Sequence, residues 1–208
     1  MASGDSHEEQ RAILARQYNI AMTADLTFIL GGARSGKSAH AERLAAQSGL
    51  PVTYIATAGI DTQGDPEFAE RVRIHRERRP AHWTLVEAPL DLAGALLDAD
   101  RAGHCVLIDC LTLWLANLLF AQTPGADADE IAALPPAARD AFAAFDAALA
   151  STRGKVIVVS NEIGLGVVPL GSVTRLYVDE LGRLNQRVAA ASTRATLMVA
   201  GLPLALKG

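Results

Sequence analysis

The chain of 208 residues predicts an α/β domain, a mostly parallel sheet flanked by helices with a short antiparallel strand at its end. Three observations predict it. An apolar run, Leu26–Leu30, leads into Gly31-Gly32-Ala33-Arg34-Ser35-Gly36-Lys37-Ser38, the Gly-x-x-x-x-Gly-Lys-Ser phosphate-loop pattern. From there strand-like and helix-like stretches alternate to the C-terminus, which implies right-handed βαβ units. A second apolar run, Val106-Leu107-Ile108, ends in Asp109, a carboxylate of the kind that holds a nucleotide-bound cation.

The elements follow in order. Leu26–Leu30 is the first strand and Ser38–Ser48 the helix after the loop. Val52–Ala56 is a second strand, set off by Gly49-Leu50-Pro51 before it and Thr57-Ala58-Gly59 after it. Residues 60–66 form a loop and Glu67–Arg78 a charged helix. Trp83–Glu87 is a short strand, Asp91–Ala99 a helix with apolar residues at helical spacing, Cys105–Asp109 a buried strand and Leu111–Phe120 an apolar helix. Residues 122–137, with Pro124, Gly125, Pro135 and Pro136, form the longest loop. Arg139–Ser151 is an Ala-rich helix, Lys155–Ser160 a buried strand and Val173–Ser192 a long helix. Thr196–Ala200 and Pro203–Leu206 are the final strands. Residues 25–208 make one nucleotide-binding domain, and residues 1–24 are an extension with no recognisable chemistry.

Composition narrows the function. Half the residues are hydrophobic, enough for a sizeable core, and the net charge is −4. That acidic balance argues against a nucleic-acid-binding surface. No stretch approaches the roughly 18 apolar residues of a membrane span, and the N-terminus lacks the basic and apolar regions of a signal peptide. Cys105 and Cys110 lie in one apolar run. In a strand their side chains would face opposite sides of the sheet. Neither a disulfide nor a metal site is implied, and a reducing cytoplasm fits best.

The phosphate loop has specific physics. Gly31 and Gly36 let the backbone turn tightly and approach the phosphates. The loop N–H groups form an anion-binding concavity, and the following helix aims its positive dipole end at the same place. Lys37 reaches the β- and γ-phosphates, and the Ser38 hydroxyl can ligate Mg²⁺. In a parallel sheet, ligands bind outside the carboxyl ends of the strands, so the other strand ends matter. Asp109 either serves Mg²⁺ or caps the helix after it. Thr57-Ala58-Gly59 either faces the cleft or is an ordinary turn. Ser160-Asn161-Glu162 either positions substrate or water, or caps the next element. The stretch Arg71–Arg79 holds five arginines around His75. It suits a polyphosphate, whose oxygens match the guanidinium fork, or it is a solvated face of Glu/Arg pairs.

Taken together these residues resemble the bifunctional adenosylcobinamide kinase/adenosylcobinamide-phosphate guanylyltransferases of cobalamin synthesis. The resemblance runs from about Leu26 to the C-terminus. It rests on the phosphate loop, on Tyr54-Ile55-Ala56-Thr57, and on His75 followed by Arg79-Pro80-Ala81-His82-Trp83. It continues in Asn161-Glu162-Ile163-Gly164-Leu165-Gly166-Val167-Val168-Pro169 and in Gly182-Arg183-Leu184-Asn185-Gln186. The resemblance implies a RecA-like sheet, Mg²⁺ as cofactor, a homotrimer, and two reactions. The first phosphorylates the aminopropanol hydroxyl of adenosylcobinamide with ATP or GTP. The second transfers GMP from GTP to that phosphate through a GMP–histidine intermediate, and His75 occupies the matching position. Nucleotide contacts are implied for Gly31, Gly32, Ala33, Arg34, Ser35, Gly36, Lys37 and Ser38, for Thr57, Ala58 and Gly59, for Arg76, Glu77, Arg78 and Arg79, and for Glu87 and Asp109. Ser38 and Asp109 are the implied metal ligands, and Lys37 joins His75 as catalytic. Glu87 could accept hydrogen bonds from guanine. Val178 departs from the family, standing where a basic residue is expected before Asp179. A plain small-molecule kinase without a covalent intermediate, a nucleic-acid-dependent ATPase and a nucleotide switch are the competing expectations.

Overall fold

The computed structural model describes residues 25–58, 70, 73, 79–120 and 133–208. Strand β1 (Leu26–Gly31) is buried at every position. It is flanked by β5 (Lys155–Asn161) and β6 (Arg194–Val199), both parallel to it. With β2 (Val52–Ala56), β3 (Thr84–Glu87), β4 (Cys105–Asp109) and β7 (Leu202–Lys207) the sheet has the order β3-β2-β4-β5-β1-β6-β7. Every neighbouring pair is parallel except β6 and β7, which run antiparallel. This is the mostly parallel sheet with an antiparallel end that the alternation predicts. The inner strands read as unbroken apolar runs because both of their faces are covered.

The pleat divides the core in two. Phe28, Ile108, Val156 and Val158 face α2 (Leu92–Ala99), α3 (Leu111–Phe120), α4 (Pro136–Ser151) and α5 (Ser172–Ala191). At the centre of that layer Trp114 lies with its ring centroid 5.5 Å from Phe142 and 5.2 Å from Phe145. The alternate residues Ile29, Leu107, Ile157 and Val159 face α1 (Lys37–Gln47), which contributes Ala41 and Ala45, and they also pack with Tyr54 and Trp83.

Several boundaries differ from expectation for identifiable reasons. Asp91 is the N-cap of α2 and accepts a bond from the Gly94 amide at 2.8 Å, so the helix proper begins at Leu92. Helix α4 begins at Pro136, not Arg139, because proline is favoured in the first helical turn, where its missing N–H costs nothing. Strand β7 includes Pro203 and is tolerated as an edge. The expectation that Cys105 and Cys110 lie on opposite faces is overturned. Strand β4 ends at Asp109, so the alternation does not extend to Cys110, and both thiols pack in the α1-side cluster. They are free cysteines. Of the expected helix Glu67–Arg78 only Glu70 and Arg73 are described; both are helical and form an exposed i,i+3 ion pair at 2.6 Å. Most of the expected loop 122–137 lies outside the described residues. Among the described residues no helix is long and apolar enough to cross a membrane.

Candidate active site

The phosphate loop joins β1 to α1 and is held by its neighbours. A Cβ at Gly31 would lie 2.3 Å from Ser35 Oγ and 2.9 Å from the Met198 carbonyl oxygen, so only glycine fits where the loop folds over β6. Gly36 has φ +91, the left-handed region that glycine occupies without penalty, and a Cβ there would come within 3.3 Å of Gly201 Cα. The Ser35 carbonyl accepts a bond from the Gly201 amide at 3.0 Å, and the Gly31 carbonyl accepts one from the Glu162 amide at 3.1 Å. The β6–β7 turn and the end of β5 thus brace the loop. Gly36 caps α1 without a side-chain bond, and no acidic residue sits in the first turn. The leading N–H groups and the helix dipole are therefore open to an anion.

Lys37 folds back so that Nζ donates to the Gly32 carbonyl at 3.2 Å. Burial pushes its pKa below the usual lysine value, against the opposing influence of Cys110 and Asp109. Ser38 follows, half-buried. Across the strand tips, Glu87, Ala56, Asp109 and Val159 lie in one register row. In-register parallel neighbours share a face, which places Glu87 and Asp109 on the α1 side of the sheet. Glu87 is exposed and Asp109 half-buried. Asp109 does accept a side-chain bond, but from the Tyr54 hydroxyl at 2.9 Å. Burial, and then Asp109 itself, push the Tyr54 phenol far above its usual pKa, so it remains a donor. The Arg79 guanidinium stacks on the Tyr54 ring, 4.8 Å from its centroid. A chain of contacts therefore links the residue that follows the His75 segment to the strand-end carboxylate.

Thr57 lies beside this chain but is fully buried. Its hydroxyl donates to the Cys110 carbonyl at 2.7 Å and accepts from the Cys110 amide at 2.9 Å. Its own amide donates to the Asp109 carbonyl at 3.3 Å, and its carbonyl accepts from Asn117 Nδ2 at 2.7 Å. The described groups of Thr57 thus knit β2 to the β4–α3 junction, and Ala58, half-buried, is the next residue toward solvent. Ala33 and Arg34 are exposed on the loop, Arg34 at φ 58. His82 is exposed in the turn before β3. Gly59, His75, Arg76, Glu77 and Arg78 lie outside the described residues.

Sequence reasoning missed the role of Tyr54, the stacking of Arg79 on it, and the bracing by Gly201. A signal for Tyr54 existed. It stands two residues before the end of β2, on the face that alternation assigns to the strand-end site, and a buried phenol needs a hydrogen-bond partner.

Ser38 and Asp109 offer hard oxygen donors of the kind that Mg²⁺ takes. That ion keeps several waters and is held by one or two protein oxygens together with substrate phosphates. Among the described residues no group of three or more His, Cys, Asp and Glu forms a metal cluster.

The family model described as cobinamide kinase/cobinamide phosphate guanyltransferase matches residues 27–206. The chain is 53% identical over 180 residues to the bifunctional adenosylcobalamin biosynthesis protein CobP of Pseudomonas aeruginosa, covering 86% of this chain and 96% of that one. It is 39% identical over 185 residues to the bifunctional adenosylcobalamin biosynthesis protein CobU of Salmonella typhimurium, covering 88% and 99%. Among solved structures, the flagellar accessory protein FlaH of Methanocaldococcus jannaschii is similar at a TM-score of 0.44 and 17% identity over 95% of this chain and 84% of that one, too distant to add to the assignment. The phosphate loop, the strand-end carboxylate and the span of the match together place the chain in the cobinamide kinase/cobinamide phosphate guanyltransferase family.

Proposed function

We propose that this protein phosphorylates the aminopropanol hydroxyl of adenosylcobinamide with ATP or GTP, and then transfers GMP from GTP to the new phosphate, giving adenosylcobinamide-GDP. The observation that carries this is the uncapped, glycine-lined phosphate cradle with Lys37 and Asp109 beside it, on a chain of this family. Residues 25–208 act as one catalytic domain.

In the first reaction the substrate hydroxyl attacks the γ-phosphorus as the bridge to the β-phosphate breaks. Such transfer depends mainly on positioning and charge stabilisation. The loop amides and Lys37 cradle the phosphates, Lys37 exchanging its bond to Gly32 for phosphate oxygens. Ser38 and Asp109 would hold Mg²⁺, which neutralises charge on the phosphate oxygens when bound. In the second reaction the neutral His75 imidazole attacks the α-phosphorus of GTP and pyrophosphate leaves. The substrate phosphate then attacks the same phosphorus and the P–N bond breaks. Splitting one displacement into two lowers each barrier. Arg76, Arg78 and Arg79 favour the neutral imidazole by opposing its protonation and stabilise charge in the transition state. Glu87, exposed at the tip of β3, accepts hydrogen bonds from guanine. The assembly is a homotrimer and its compartment the cytoplasm.

Intact mass after incubation with GTP and Mg²⁺ tests the covalent step. Wild type should gain one GMP through an acid-labile, alkali-stable bond, and His75→Ala should not. An adduct that persists in His75→Ala moves the nucleophile elsewhere, with His82 first in line. GTP binding without an adduct in wild type leaves a plain kinase.

A further inference from the structure

Strand β5 lies between β1, which carries the phosphate loop, and β4, which carries Asp109. At its tip Asn161 pairs with Gly31. Alternation along β5 puts the Asn161 side chain on the face of Ile157 and Val159, which pack with Ala41 and Ala45 of α1. That is the face of Lys37 and Asp109.

The backbone of Asn161 is fixed by other residues. Its amide donates to Thr112 Oγ1 at 3.0 Å, and its carbonyl accepts from Asn185 Nδ2 at 3.0 Å. The next amide, of Glu162, closes on the Gly31 carbonyl at 3.1 Å. None of these bonds uses the Asn161 side chain. Its Oδ1 is buried and has no hydrogen-bond partner among the described residues. A buried acceptor left unpaired is unfavourable and stands out in a native structure. Here it belongs to a residue whose backbone is fixed on both sides, between the phosphate loop and the strand-end carboxylate.

We propose that Asn161 orients the phosphoryl acceptor, Oδ1 receiving a hydrogen bond from the attacking hydroxyl. This rests on the kinase step proposed above. The new bond joins the hydroxyl oxygen to the γ-phosphorus. The bond from that phosphorus to the β,γ-bridging oxygen breaks, and the nucleoside diphosphate leaves with the electron pair. An amide is too weak a base to take the hydroxyl proton, which passes to solvent. Asn161 thus holds the nucleophile in line without serving as a general base. Such alignment is the main resource of this chemistry.

Asn161→Ala deletes the carboxamide and spares the three backbone bonds. The measurements are steady-state phosphorylation of adenosylcobinamide, titration with a fluorescent GTP analogue, and thermal unfolding, on wild type and variant. The variant should lose about 10²-fold in kcat, the scale of one well-placed hydrogen-bonding group. Nucleotide affinity should stay within about twofold and the unfolding midpoint should be unchanged, because Asn161 acts on the acceptor and not on the triphosphate. A wild type that phosphorylates adenosylcobinamide beside a variant with undiminished kcat overturns this assignment alone. A variant whose nucleotide affinity and stability fall in step with its activity also overturns it, since the carboxamide is then structural. A wild type that binds nucleotide but does not phosphorylate adenosylcobinamide removes the kinase reading, and the assignment with it.

Discussion

Among the described residues, helices α2, α3, α4 and α5 pack on one face of the sheet, whereas α1 packs on the other. The many-helix face buries the larger apolar cluster, with Trp114, Phe142 and Phe145 at its centre. The α1 face buries fewer apolar residues among those described and places Tyr54, Cys105 and Cys110 among them, with Lys37 and Asp109 near the strand ends. The difference teaches where each requirement is met. A thick apolar layer supplies stability that depends on no ligand. The α1-side layer carries paired polar groups beside its apolar ones, the Tyr54 hydroxyl on Asp109 among them. Among the described residues Lys37 is held by the Gly32 carbonyl at 3.2 Å.

The two faces should therefore respond differently to mutation. Lys37→Met should lower transfer by about 10³-fold, the upper scale for one charge-stabilising group. The unliganded protein should unfold at the same or a higher temperature, because burial already disfavours the ammonium. Kinase assays and calorimetry measure the two effects, and a fall in melting temperature would erase the separation between faces. Trp114→Ala should do the reverse. It removes a fully buried ring and the bond from Nε1 to the Leu90 carbonyl at 2.8 Å. The cost should be about 3–5 kcal/mol in urea unfolding, with transfer per folded molecule unaltered at temperatures where the variant remains folded.

Tyr54→Phe sharpens the comparison from within the α1-side cluster. It keeps the ring under Arg79 and deletes the donor to Asp109. Transfer should fall about tenfold, in keeping with a hydrogen bond to a charged group, and the Mg²⁺ dependence of nucleotide binding should shift. A loss of stability alone, with both unchanged, would make the phenol a packing group. The smallest effect concerns the thiols. Burial pushes Cys105 and Cys110 up to about 11. Between about 9 and 11 the folded chain retains protons that the unfolded chain has released. Stability attributable to the thiols is thus present below pH 9 and lost as pH rises toward 11. Denaturation at stepped alkaline pH should show a shallower decline in a Cys105→Ala, Cys110→Ala double variant than in wild type.

Much of this architecture is legible along the chain. The buried strands are continuous apolar runs, and α3 occupies the span its apolar residues predict. Errors arose where a residue acts at a boundary. Pro136 looks like a loop residue and yet opens a helix, and Cys110 follows a strand without continuing its alternation. Asp109 was ambiguous between metal ligand and helix cap because both roles place a carboxylate before a helix. Strand register places that carboxylate in the strand-end row, where it accepts from Tyr54.

The phosphate loop was determined by the sequence alone because its function uses consecutive backbone N–H groups. Gly31, Gly36, Lys37 and Ser38 need only local chain geometry to converge. The fold class was likewise set by local periodicity and by the handedness of βαβ units. Tertiary structure alone decided what surrounds the loop. Tyr54 and Asp109 stand 55 residues apart and meet because β2 and β4 are neighbours. Asn161 reaches the site because β5 enters the sheet between β4 and β1. Alternation tells which face a side chain takes, but strand order tells what it faces, and that order follows from how the whole chain buries its apolar surface.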